Sequence, residues 1–200
     1  MVKKRQSTVI RKRQIIDAAR KLIFKYGSEY ITIRRLSAEV GISEAAVYRH
    51  FKSKRDILFL LAEHIGEALL ADIAKVSEGG ISSLDLIDST LKNHLSVIEQ
   101  RKGMSFLVLA EIMSFGDKKL NRRVAWHIEQ YVNRLESLLA EGAAAGLVRK
   151  DLELPDAALL LFGMIQGLVN LWALNNHSFD LTEKYSSLWK VYRKALQNPA

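Results

Sequence analysis

The side chains best placed to do chemistry in this chain lie between Thr32 and Arg55. Thr32 and Ser43 carry hydroxyls of the kind that cap helix N-termini. The spacing therefore predicts two short helices, one with Leu36 and Val40 on its inner face, the other held down by Val47 and Phe51. Gly41 stands at the bend between them, where a left-handed backbone is cheap only for glycine, and Ile42 fills the angle. The outward face of the second helix begins small, at Ala45, and continues through Tyr48, Arg49 and His50. A helix-turn-helix reader needs this order, because the first part of its second helix enters the major groove while cations and rings reach phosphates or base edges. The expected DNA contacts are Thr32, Arg34, Arg35, Ser43, Ala45, Tyr48, Arg49, His50 and Lys54. Of these, Lys54, Tyr48 and His50 are expected on the DNA backbone. Arg34, Arg35, Ala45 and Arg49 stand where base contacts or further phosphate contacts form.

The charge distribution agrees. Residues 1–55 hold 15 Lys/Arg against 4 Asp/Glu, or +11, so the rest of the chain carries −3 of the net +8. A localised positive field steers a protein onto a polyanion. Residues 1–8 are expected to form a basic arm.

Other chemistries lack their residues. The histidines, His50, His64, His94, His127 and His177, have no metal-ligand spacing, and cysteine is absent. Neither a glycine-rich phosphate loop nor a Gly-x-Ser-x-Gly elbow occurs. Asp85 and Asp88 share a helix face, but near a helix start they read as dipole-stabilising surface residues. No metal, cofactor or catalytic activity is expected. The basic N-terminus has no apolar signal core, and the longest apolar run, Ala157 to Ile165, is too short to span a membrane. A soluble cytoplasmic, nucleoid-associated protein with no membrane partner is the expectation.

The elements that position these residues are all helical, since two prolines and abundant Ala, Leu, Lys, Glu and Arg favour helices. A first helix over about 9–26 carries Ile15, Ala19, Leu22, Ile23 and Tyr26 on one stripe and stops at Gly27. A long helix over about 54–75 starts at a Ser53 cap and links the basic part to the rest. Gly66 in its middle costs about 1 kcal/mol against alanine, which points to a bend or a close packing contact. Glu78-Gly79-Gly80 marks a break. Further helices are expected at about 83–100, 104–114, 119–142, 155–175 and 181–197. Gly142 and Gly146 flag the end of the third of these, and Pro155 begins the fourth.

The helix over 155–175 is apolar around nearly its whole circumference, so it must be covered on several sides. With the amphipathic helix after it, it reads as half of an intersubunit four-helix bundle. Leu160, Met164, Leu168, Leu171, Leu188 and Tyr192 are the expected dimer interface. Polar residues set among apolar ones, His94, Glu111, His127, Gln166 and Asn170, are the candidate ligand groups.

Gly41-Ile42-Ser43, Val47-Tyr48-Arg49-His50-Phe51 and Ser53-Lys54-Arg55-Asp56-Ile57-Leu58 together resemble the DNA-binding signature of the TetR family of bacterial repressors. The close match covers roughly residues 10–60. Ser37 departs from it where alanine is usual, and Ala45-Ala46 where glycine or threonine is frequent, which leaves the operator sequence open. The resemblance implies an all-α protein of about nine helices. Its N-terminal three-helix DNA-binding domain would span 9–53, and its effector-binding and dimerisation domain 54–200. It also implies a ligand cavity in the second domain. The expected function is a homodimeric repressor, released from a palindromic double-stranded DNA operator by a small, mainly apolar effector. The rivals are a related DNA binder controlled by a protein partner without a small ligand, and a helical enzyme or carrier.

Overall fold

The computed structural model describes residues 7–26, 30–74, 81–103, 109, 112–114 and 116–197, and no strand occurs among them. The helices are α1 Thr8–Tyr26, α2 Ile33–Val40, α3 Glu44–Tyr48, α4 Lys54–Ala74, α5 Ser83–Gln100, α6 Lys118–Ala144, α7 Leu154–Leu174 and α8 Leu181–Leu196. The chain is all-helical, as expected. The helix expected at about 104–114 lies largely outside the described residues, although 109 and 112–114 are helical. The arm up to residue 6, the stop at Gly27 and the break at Glu78-Gly79-Gly80 also lie outside them.

The described residues sort into two compact units. The first draws on Met1–Ile65 and Met104–Ala125, the second on Gly66–Gly103 and Trp126–Ala200. In the first unit, Ile15, Ala19, Leu22 and Ile23 of α1 are buried, as are Leu36, Val47, Phe51, Ile57, Leu58 and Leu61. Tyr26 does not join that stripe. It is exposed and lies tilted against Tyr30, with ring centroids 5.5 Å apart. Helix α4 starts at a reciprocal cap, in which Ser53 Oγ accepts from the Asp56 N–H and Asp56 Oδ2 accepts from the N–H groups of Lys52 and Ser53.

In the second unit, α5 buries Leu84, Ile87, Leu91 and Leu95, and its cap is Ser82, whose Oγ accepts from Asp85 N. Helix α6 runs past Gly142, where a Cβ would meet Ser83 Oγ at 2.9 Å. Close packing therefore requires that glycine. The chain turns instead at Gly146, with φ 73°.

Pro155 occupies the first turn of α7, whose inner face is Ala158, Leu161, Ile165, Leu168, Val169 and Trp172. At 21 residues this helix is long and apolar enough to cross a membrane, longer than its unbroken apolar run suggested. A buried core helix meets the same criterion. Leu168 and Tyr192, expected at the dimer interface, are buried within the protomer, and the Tyr192 hydroxyl donates to Ala157 O at 2.8 Å. The aromatic stripe of α8 packs on its own neighbours, α5 and α7, which is why Tyr192 faces inward. Leu160 and Leu171 remain exposed, Met164 and Leu188 half-buried, and Leu159 and Val191 extend the exposed apolar surface.

Candidate nucleic-acid interface and effector-binding interior

Two caps and one glycine build the reading head. Thr32 Oγ1 accepts from Arg35 N at 3.2 Å, and Ser43 Oγ from Ala46 N at 3.2 Å. Gly41 has φ 70°, and its N–H together with that of Ile42 satisfies the last carbonyls of α2. Ser37 is buried, yet its hydroxyl donates to Arg34 O at 2.8 Å, so it leaves no unpaired group in the bundle. Helix α3 is a short one, capped by Arg49, and Phe51 N still reaches Val47 O at 3.0 Å to close one more turn.

Of the nine expected DNA residues, Thr32, Arg34, Arg35, Ser43, Ala45, Tyr48 and Arg49 are exposed, while His50 and Lys54 are half-buried. All nine belong to the first unit. Arg35 lies over the Tyr30 ring, 4.4 Å from its centroid, which restrains the guanidinium by a cation–π contact. His50 is held below its ordinary 6.5 by partial burial first, and then by the positive charges of Lys12, Arg11 and Arg49. A basic patch in which one imidazole is pushed towards neutrality is already crowded with cations, and that is what a phosphate chain relieves.

Arg55, next to Lys54, is an ion-pair residue. Its Nε donates to Asp117 Oδ2 at 2.8 Å. Asp117 also caps α6, accepting from Lys119 N and Leu120 N at 2.9 Å each. The two N–H groups hold its carboxyl below the usual range, and Arg55 adds to this. Nothing in the local sequence connects residues 55 and 117.

The candidate ligand residues separate. His94 is buried in the second unit, with Nδ1 3.0 Å from the Tyr131 hydroxyl. His127 is also buried, its ring at Trp126 and directly against Gly66. Gln166 is half-buried. Asn170 is exposed, so it does not face the core of its own unit, because the i, i+4 pair lies on the outer side of α7. Glu111 lies outside the described residues. An open polar groove lined by Lys92, Asn93 and Ser186, among others, includes none of the five.

Two tyrosines, Tyr131 and Tyr185, join His94 in the interior. Tyr131 bridges His94 towards Phe162, with ring centroids 6.3 Å apart. Tyr185 is fully buried, and its hydroxyl lies beside the Asp88 carboxylate. Burial first, then that negative charge, drives its ionisation far upward. The signal available in the sequence was the choice of tyrosine where leucine or phenylalanine would fill the same stripe. Asp85 is a capping and ion-pair residue, bonded to Ser82 at 2.6 Å and Arg193 at 2.7 Å. Among the described residues no group of His, Asp or Glu is arranged to hold a metal ion.

Comparison with known proteins covers both units. Residues 15–61 match the family model for bacterial regulatory proteins of the tetR family, and residues 62–195 match the C-terminal region of YsiA-like proteins. A fatty acid metabolism regulator protein of Bacillus subtilis (strain 168) is 23% identical over 186 residues, covering 92% of this chain and 95% of that protein. The nucleoid occlusion factor SlmA of Vibrio vulnificus is 28% identical over 182 residues, covering 90% and 93%. The crystal structure of the regulator FadR from Bacillus subtilis, in complex with stearoyl-CoA, superposes with a TM-score of 0.81 at 22% identity, over 92% of this chain and 99% of that one.

Proposed function

Since this chain belongs to the tetR family of bacterial regulatory proteins and is a DNA-binding transcriptional regulator, we propose that it is a homodimeric repressor released from a palindromic operator by a small, mainly apolar effector. The observation that carries the reading is the doubly capped turn at Gly41, which presents Ala45, Tyr48 and Arg49 on one exposed surface. Residues 9–53 read DNA in this proposal. Residues 54–200 bind the effector and dimerise, with α4 connecting the two functions. Arg34, Arg35, Ala45 and Arg49 meet bases or further phosphates; Lys54, Tyr48 and His50 meet the DNA backbone. The protein works in the cytoplasm, and its operators hold it on the nucleoid. It catalyses no reaction.

The effector sits in the second unit, with His94 and Tyr131 orienting it among apolar side chains. A Bacillus subtilis neighbour of the same fold was solved with stearoyl-CoA, so a long-chain acyl thioester is the first effector to try. The matches to nucleoid occlusion factors favour a second reading, in which a protein partner replaces the small ligand.

Genomic footprinting tests the function. Inverted repeats are expected, with half-site centres about 34–36 Å apart, and adjacent genes should be derepressed when the regulator is deleted. Binding scattered without any repeated motif would overturn the reading. Operator release by a lysate protein but by no acyl-CoA would select the second reading.

A further inference from the structure

Three contacts between α4 and α6 are unused by the reading above. Arg55 pairs with Asp117 at the start of both helices. Glu63 takes both arms of the Arg123 guanidinium, one of them with Nη2 2.6 Å from Oε2. The third contact is at Gly66, where an added Cβ would lie 2.2 Å from His127 Cγ and 2.4 Å from Nδ1. The imidazole therefore rests on bare helix backbone. A glycine inside a helix forfeits about 1 kcal/mol against alanine, and here it admits a ring that no other residue would.

The contacts fall in the same order along both helices. From 55 to 66 is eleven residues of α4, and from 117 to 127 is ten of α6, giving nearly equal axial rises of about 16 and 15 Å. A forked ion pair fixes direction as well as distance. Glu63 has a side chain only 15% exposed, so the pair is shielded from solvent better than a surface bridge.

We propose that α6 is the positioning element for α4. Arg55–Asp117, Glu63–Arg123 and the His127 ring seated on Gly66 set where Lys54 and the reading head are held for operator binding. The inference rests on the reading that α4 carries the regulatory signal, and it adds the residues through which α4 is held. A shift of α6 draws α4 with it at three levels, and a side chain at Gly66 mimics that shift without any effector.

The test uses the full-length dimer, an operator fragment recovered by footprinting, random DNA of equal length, and no ligand. Gly66→Ala is expected to lower the operator-to-random affinity ratio by about tenfold, within the usual range of allosteric coupling. Gly66→Ala with His127→Ala opens space for the methyl group and should return the ratio to near wild type. Glu63→Arg and Arg123→Glu should each lower the ratio, and the double exchange should restore it. Glu63→Arg adds positive charge and Arg123→Glu removes it, so a fall in the ratio common to both is separable from a general electrostatic effect. Thermal melting accompanies each variant. Folded single variants with a wild-type ratio, or double variants that recover melting temperature without recovering the ratio, would overturn the proposal. If Gly66→Ala alone fails to fold, the charge exchange decides. A failed stearoyl-CoA titration alongside intact rescue would sink the effector reading and leave this one standing.

Discussion

His50 turns a local charge environment into a measurable property of the interface. Burial and the cations of Lys12, Arg11 and Arg49 lower its pKa in the free protein, so the folded state favours the neutral ring. The sign for folding follows. Its contribution is fully present above the ordinary 6.5 and is lost as pH falls below it, since the unfolded chain takes the proton first. Phosphates bring the opposite field and raise the pKa again, so binding takes up protons, up to about one per site. Operator affinity should rise as pH falls from 8 to 6 at constant ionic strength, and His50→Gln should flatten that dependence. A wild-type affinity independent of pH would remove His50 from the interface. Lys54→Ala, by contrast, should weaken all sequences alike and flatten the salt slope by about 1 unit. Tyr48→Phe should weaken binding in the same uniform way, since it removes only the hydroxyl. The sequence singles out these residues as candidates because caps and an exposed turn are local patterns. It could not show that Asp117 holds Arg55, or that Glu63 holds Arg123, because such pairs join residues some sixty positions apart.

Helices α7 and α8 show how far an element can be read from its pattern. The sequence located both to within one residue and showed that α7 is apolar all round, but an apolar ring of side chains does not say which arc faces the home core. Packing on α8 decides that, burying Leu168 and leaving Leu160 and Leu171 exposed. Tyr192 lies in the protomer for the same reason, since its ring fills the home core and its hydroxyl finds a carbonyl there. Helix α3 ends at Tyr48, although its capping residue, Arg49, still bonds in a helical way. Gly163 and Gly167 lie on the exposed side of α7, with nothing within 4 Å of an added Cβ, so another helix has room to approach. The two leucine positions make separable predictions. Leu160→Arg should leave the protomer folded and cost several kcal/mol of association by burying an unpaired charge. Leu168→Arg should instead lower the melting temperature of the protomer itself. Sedimentation with parallel melting distinguishes them, and a Leu160→Arg dimer as tight as wild type would move the interface elsewhere.

At the scale of the whole molecule the proposed function requires a two-state device, and thermodynamics constrains its effector before the effector's identity is known. A ligand releases DNA only by binding the DNA-incompetent arrangement more tightly. Moving the population from 99:1 to 1:99 requires about 5.5 kcal/mol of that preference. A ligand that binds both arrangements equally shifts nothing, however tight it is. On the proposed reading His94, tied to Tyr131 in the buried interior, is the polar anchor that a passing hydrophobe would leave untouched. Truncating it should therefore weaken a true effector more than a nonspecific detergent. Reciprocity supplies the decisive measurement, because an effector that weakens operator binding must itself be weakened by operator to the same factor. Calorimetric titration of stearoyl-CoA into the dimer, alone and with saturating operator, should give a lower affinity in the second case. The ratio should match the loss of operator affinity measured by anisotropy at saturating stearoyl-CoA. Equal affinities in the two titrations would show that stearoyl-CoA occupies the protein without regulating it, and the search for the effector would then turn to other chemistry or to a protein partner.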